Sequence, residues 1–122
     1  MPENNKKFVI QKHSRGKDIH WDLMLEVADV LETYRLPVPP EKISNQAIEV
    51  VKIFDHPLKF LTYEGSVNKG AGSVKIADTG TYQTITQNGI NIELQFAGKI
   101  LHGNFILTLI EKDRWEITAA QQ

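Results

Sequence analysis

Cysteine is missing from the 122 residues altogether, and histidine occurs only four times. The first absence excludes disulfide frameworks, thiolate metal sites and cysteine nucleophiles. Any metal must therefore be held by His, Asp and Glu, with His13, His20, His56 and His102 as the imidazoles available. A one-sided charge is missing too. Fourteen basic residues against fifteen acidic ones leave a formal charge of −1, which excludes a bulk electrostatic nucleic-acid binder but leaves room for a local basic groove. No apolar run approaches the roughly 20 residues of a membrane-spanning helix, and Met1–Phe8 has no apolar signal core. Both point to a cytoplasmic chain with no membrane partner. Glycine-rich nucleotide loops, a Gly-x-Ser-x-Gly elbow and a serine triad are likewise absent.

What is present is two-residue alternation. The hydrophobic share of 41% and charged share of 24% suit a packed soluble domain rather than a disordered one. One domain over 1–122 is expected, with the first six or seven residues frayed. In His20–Val27 the residues Trp21, Leu23, Leu25 and Val27 share one face, and His20, Asp22, Met24 and Glu26 the other. Further strands are expected at Phe8–Gln11, Val30–Leu36, Ala47–Phe54, Ser73–Ala77, Thr81–Thr86, Ile92–Ala97, Asn104–Ile110 and Trp115–Thr118. Turns are expected at Ala28-Asp29, Asp78-Thr79-Gly80, Asn88-Gly89 and Glu111-Lys112-Asp113, with Asn88-Gly89 a two-residue hairpin of positive φ. Pro37-Val38-Pro39-Pro40 cannot lie in a central strand and reads as a loop leading into a helical turn. Thr62–Gly72, with three glycines, reads as a sharply folded loop. The fold class implied is all-β, a small and mostly antiparallel barrel of about eight strands.

Chemistry is expected at His13, His20, Asp22 and His56. On a strand, residues 20 and 22 project from the same face, with Cα atoms roughly 7 Å apart. His13 ends the preceding strand and can return to the same point. Two imidazoles and a carboxylate suit Mn, Fe or Zn better than the oxygen-seeking Mg or Ca. The competing reading is an ordinary polar outer face, because His-x-Asp recurs by chance. His56, before Pro57, is equally a strand-ending residue, and His102 looks like a hairpin-tip residue without a role.

Several segments together resemble the 3′-phosphoesterase domain of DNA ligase D: Phe8-Val9-Ile10-Gln11-Lys12-His13, His20-Trp21-Asp22-Leu23-Met24-Leu25-Glu26, Asp55-His56-Pro57-Leu58, Tyr63-Glu64-Gly65, Gly70-Ala71-Gly72-Ser73-Val74 and Asp78-Thr79-Gly80-Thr81-Tyr82. The resemblance runs from about Lys7 to Ala119. It implies a small β-barrel with a Mn2+-dependent site (Zn2+ or another divalent metal being the alternative), a hydrolase that trims 3′-terminal ribonucleosides and 3′-phosphates in DNA repair by non-homologous end joining. By motif match His13, His20 and Asp22 are the implied metal ligands, and His56 is the residue contacting the phosphate. The implied partners are a nucleic-acid 3′ end and a separate ATP-dependent DNA ligase or polymerase.

Departures accompany the matches. Met24, Val38, Ile48 and Phe60 stand where the family carries arginine, lysine, arginine and tyrosine, and the His13–His20 spacing is one residue longer than usual. Arg35, which short stand-alone relatives share, is the expected substitute cation, ahead of Arg15, Lys17, Lys52 and Lys69. Such losses keep a second expectation open, a weakly active or inactive module that binds nucleic-acid ends or a ligase partner. A cupin-like small-molecule metalloenzyme is a third, resting on fold analogy alone.

Overall fold

The computed structural model describes residues 5–120. Nine strands follow one another: β1 (Lys6–Arg15), β2 (Asp18–Val27), β3 (Val30–Leu36), β4 (Ile48–Pro57), β5 (Gly65–Val67), β6 (Gly72–Gln87), β7 (Asn91–Gly98), β8 (His102–Glu111) and β9 (Arg114–Ala119). All pairings are antiparallel, in the order β1-β2-β3-β4-β9-β8-β7-β6, and β6 returns to β1 to close an eight-stranded barrel. β5 is an extra strand paired with the first residues of β6. Closure removes the exposed strand edges that an open sheet of this size would present.

Alternation decides what fills the barrel. Phe8 and Ile10 of β1, Leu23 and Leu25 of β2, and Tyr34 and Leu36 of β3 point inward, meeting Leu94, Phe96, Phe105, Leu107 and Ile117 from the far side. Phe8 and Phe96 pack edge to face with ring centroids 5.0 Å apart. The loop after β3 makes a 3-10 helix at Pro40–Asn45, as the proline run suggested, and seats fully buried Ile43 in the same core. A second, smaller cluster lies on the outside of the barrel. Val9, Met24 and Leu31 are covered there by Leu58, Phe60 and Leu61 from the 3-10 turn Leu58–Leu61 that follows β4. That outer cluster is the base on which the candidate site rests.

Three local expectations are corrected. Lys6 and Lys7, placed in the frayed terminus, are in β1 opposite Tyr82 and Thr81; residues 1–4 lie outside the described residues. Asp78-Thr79-Gly80 is no turn: it lies within β6, whose sixteen residues join the two strands expected there. A bulge at Ala77 bends that strand, and the buried Asp78 carboxylate accepts hydrogen bonds from the amides of Thr79, Lys99, Ile100 and Leu101 at 2.7–3.1 Å. The loop between β7 and β8 is thus fastened to β6 by one side chain. At the β6–β7 connection neither Asn88 nor Gly89 has positive φ. Instead the Asn88 side chain accepts from the amides of Ile90 and Asn91, both at 2.9 Å, an Asx turn of three residues. No helix among the described residues is long and apolar enough to cross a membrane.

Candidate metal centre

The outer faces of β1, β2, β3 and β4 carry the polar residues in register. His13 pairs directly with His20, Gln11 with Asp22, and Asp22 with Arg35. His13 Nδ1 lies 3.0 Å from His20 Nε2, which lies 3.6 Å from Asp22 Oδ2. One ligand atom from each of these three residues falls within 4.8 Å of the others. The rings of His13 and His20 meet edge to face, centroids 4.7 Å apart. Asp22 and His20 are buried, and the Asp22 carboxylate takes a hydrogen bond from Arg35 Nε at 3.3 Å.

The donor set fits a borderline divalent ion. Two imidazole nitrogens facing each other at 3.0 Å either share one proton or turn both lone pairs on a cation, with a carboxylate beside them to balance its charge. Burial holds His20 below the ordinary imidazole pKa, with Arg35 and His13 adding to the effect and Asp22 and Asp18 opposing it. The neutral form that a ligand requires is thereby favoured. Asp18 Oδ2 stands 3.9 Å from His20 Nδ1, the far nitrogen of the ring. That is too long for a hydrogen bond, so Asp18 acts on the ring only as a nearby charge that opposes the lowering of its pKa. Gly72 of β6 passes over His13 so closely that an added Cβ would sit 2.9 Å from His13 Nε2.

His56 reaches this face through an irregularity. Arg35 pairs with Val51 and Thr33 with Ile53, but Leu31 pairs with His56, three residues on rather than two. A β-bulge opposite Glu32 absorbs the extra residue and restores His56 to the outer face. Thr33 then fixes the ring: its hydroxyl donates to the Leu31 carbonyl at 3.1 Å, so its oxygen is left to accept from His56 Nδ1 at 2.8 Å. In the neutral imidazole the lone pair consequently falls on Nε2. Burial and Arg35 press the His56 pKa below its ordinary value, against Asp22, Asp55 and the Phe54 carbonyl.

A cleft of about 280 Å³ gathers these groups. Its polar side is formed by Gln11, His13, Asp22, Arg35 and His56, and its apolar side includes Met24, Phe54 and Phe60. Arg35 also forms a wall of a neighbouring groove of about 450 Å³ on the side of His20 and Asp18. All five residues singled out from the sequence are thus on one face, four of them lining the cleft and His20 standing behind it. Of the positions occupied by Met24, Val38, Ile48 and Phe60, only Met24 and Phe60 line the cleft. Ile48 is buried in the barrel interior and Val38 packs against that core, so neither position faces the cluster. His102 opens β8 and does not line the cleft.

Two contributors escape sequence reasoning. Thr33 is silent because a threonine on a strand is unremarkable until its partner is known. Gln11 is fully buried, and its Nε2 donates to the main-chain carbonyls of Phe60 and Tyr63 at 3.0 and 2.9 Å, holding the 58–63 segment over the site. Its position two before His13, on the same strand face, was the available signal.

An outward-facing His/His/Asp cluster beside a histidine and an arginine, on a small closed barrel, defines a candidate metal-assisted hydrolytic site. The family model described as the DNA ligase D 3′-phosphoesterase domain matches residues 11–109. Among curated proteins, the multifunctional non-homologous end joining protein LigD of Mycolicibacterium smegmatis is 38% identical over 84 residues, covering 66% of this chain and 11% of that protein. The LigD repair protein of Mycobacterium tuberculosis is 32% identical over 117 residues, 88% of this chain and 15% of its own length. That of Pseudomonas aeruginosa is 30% identical over 111 residues, 83% and 13%. This chain belongs to the DNA ligase D 3′-phosphoesterase domain family. It matches only 11–15% of the length of these relatives.

Proposed function

We propose that this chain is a metal-dependent 3′-phosphoesterase that heals nucleic-acid 3′ ends, removing a terminal ribonucleoside or a 3′-phosphate to leave the 3′-hydroxyl that end joining requires. The observation that carries the reading is the convergence of His13 Nδ1, His20 Nε2 and the Asp22 carboxylate in reach of His56 and Arg35. The relatives' role in non-homologous end joining supports the substrate class, with a ligase or polymerase as the partner.

His13, His20 and Asp22 would hold the ion, Mn2+ first and Zn2+ or another divalent transition metal next. When bound it supplies Lewis-acid polarisation of the phosphoryl group. The remaining work belongs to the chain. Asp22 is braced by Arg35 Nε, which leaves the guanidinium's two terminal nitrogens to face phosphate oxygens. His56, fixed by Thr33, offers Nε2. Neutral, that atom accepts a proton from an attacking 2′-hydroxyl or water. Once protonated, it donates a hydrogen bond to a phosphate oxygen. Arrival of the phosphate's negative charge opposes the burial that lowers the His56 pKa, so substrate itself favours the donor form.

The test is a primer–template ending in one ribonucleotide, incubated with Mn2+ and the wild-type chain, His20→Ala or His56→Ala. Wild type should release the terminal nucleoside, and both variants should lose at least a hundredfold in rate, the scale of one lost electrostatic contact at a transition state, about 10² or more. Wild-type product no greater than that of the variants overturns the reading. Met24 and Phe60, apolar where the family places cations or hydroxyls, favour a second reading as an end-binding module. Tight binding of the recessed 3′ end without turnover in Mn2+, Zn2+ or Co2+ would select it.

A further inference from the structure

We infer that Phe54 is a stacking platform for a nucleobase flanking the scissile phosphate, an inference that rests on the phosphoesterase reading for the placing of that phosphate. Phe54 is 72% exposed, the most exposed large hydrophobic side chain and the only aromatic one among those of the described residues that face solvent. An exposed apolar residue is ordinary by itself. This one differs in where it is and what it touches.

It lies in the β-bulge of β4 that carries His56 to the site face, and bulges re-aim side chains next to functional sites. It lines the same cleft as His13, Asp22, Arg35 and His56. One face of its ring is stacked on the His56 imidazole, with centroids 4.7 Å apart and planes 22° from parallel. Phe60 meets the same imidazole edge-on, at 89°, so it cannot extend that stack. A base held one sugar away from a phosphate at His56 would find the open face of Phe54 beside it, making the third ring of a series.

Charge gives this platform its purpose. The chain carries a formal −1, and the apolar Met24 and Phe60 line the cleft. Affinity for a nucleic-acid end therefore needs a source besides phosphate neutralisation. Base–aromatic stacking is such a source, tolerant of sequence and insensitive to salt compared with ion pairing.

The probe is a primer–template ending in one ribonucleotide, with 2-aminopurine at the last or the penultimate position, mixed with the full chain and Mn2+. Stacking quenches this base. Wild type and Phe54→Tyr should quench it with similar affinity. Phe54→Ala and Phe54→Leu should weaken binding about tenfold, within the range seen when an aromatic platform is removed. Leucine keeps apolar bulk without a π face, so it separates stacking from simple greasiness. With a primer abasic at both positions, Phe54→Ala should bind as wild type does, and KM rather than kcat should carry its defect on the normal primer. A defect in kcat that is equal on normal and abasic ends would mean that Phe54 acts through His56, and overturns the inference. So does a wild type that gives no quench, or a Phe54→Ala variant that matches it. Quenching that depends on Phe54 without turnover sustains this inference and sinks the catalytic reading. Turnover indifferent to Phe54 does the reverse.

Discussion

Replacing Gln11 with leucine should loosen one wall of the cleft. The Gln11 side chain is fully buried and donates two hydrogen bonds, at 3.0 and 2.9 Å, to the carbonyls of Phe60 and Tyr63. Leucine keeps comparable bulk but removes both donors. Each bond contributes about 1 kcal/mol net, and carbonyls left buried would add about 1–3 kcal/mol apiece. Two effects reduce the sum. The 58–63 segment is at the surface, so its carbonyls can turn toward water. In addition, Gln11 Oε1 has no hydrogen-bond partner among the described residues, and deleting it relieves one unsatisfied acceptor.

The balance is a loss of about 2 kcal/mol. For a domain of this size that is about 6–10 °C in Tm. Urea unfolding gives the global figure, and hydrogen exchange read by mass spectrometry gives its location. Amides of 58–64 should exchange much faster than in wild type, while those of β7 and β8 change only as far as global stability requires. A loss below about 0.5 kcal/mol, within the noise of ordinary surface substitutions, with unchanged exchange over 58–64, would refute the assignment of Gln11 as the anchor of that wall.

Other substitutions and conditions probe the cluster directly. Mn2+ at a hundred times its Kd should raise wild-type stability by about 2.7 kcal/mol through mass action, measured as a Tm shift that His20→Ala abolishes. Gly72→Ala should weaken Mn2+ binding about tenfold, a typical outcome when a ligand's support is disturbed, because its Cβ would lie 2.9 Å from His13 Nε2 and push that ring aside; calorimetric titration reads it. In metal-free protein both His20 and His56 have pKa values below the ordinary 6.5. The unfolded chain therefore binds more protons than the folded one as pH falls through 6.5. Stability should be fully present above that pH and decline toward pH 5. Urea midpoints across pH 5–8 test this, and His56→Gln should flatten the slope.

The legible part of the site lay on strands that keep strict alternation. In β2 the inner face of Leu23 and Leu25 and the outer face of His20, Asp22 and Met24 follow from the sequence order alone, since each side meets a different environment. His13 follows because its strand joins β2 through a short hairpin, in which the pairing of His13 with His20 is a local matter. Where alternation breaks, the reading fails. The bulge at Ala77 hides inside one long strand and made Asp78-Thr79-Gly80 look like a turn, although Asp78 spends its carboxylate on the amides of a loop more than twenty residues away. Asn88-Gly89 carried hairpin chemistry, and the Asn88 side chain used a different solution. Gln11 and Thr33 act through partners 49 and 23 residues distant, Phe60 and His56, which no local pattern announces.

The bulge in β4 shows most clearly why the site is a property of the fold rather than of its motifs. With perfect alternation Val51, Ile53 and residue 55 would share the outer face, and His56 would turn to the inner one, opposite Val30. One extra residue between Ile53 and His56 reverses that parity, brings His56 opposite Leu31 and within 2.8 Å of Thr33, and leaves Phe54 projecting beside it. Deleting Asp55 would leave Phe54 alone opposite Glu32, so regular pairing keeps His56 opposite Leu31 on the outer face and turns Phe54 to the inner one. The stacking platform and the catalysis would then separate: Mn2+ affinity and kcat on a ribonucleotide-ended primer should stay near wild type, and quenching of 2-aminopurine should fall to the level of Phe54→Ala. Loss of turnover as well would mean that the bulge itself aims His56, and does more than project one phenylalanine.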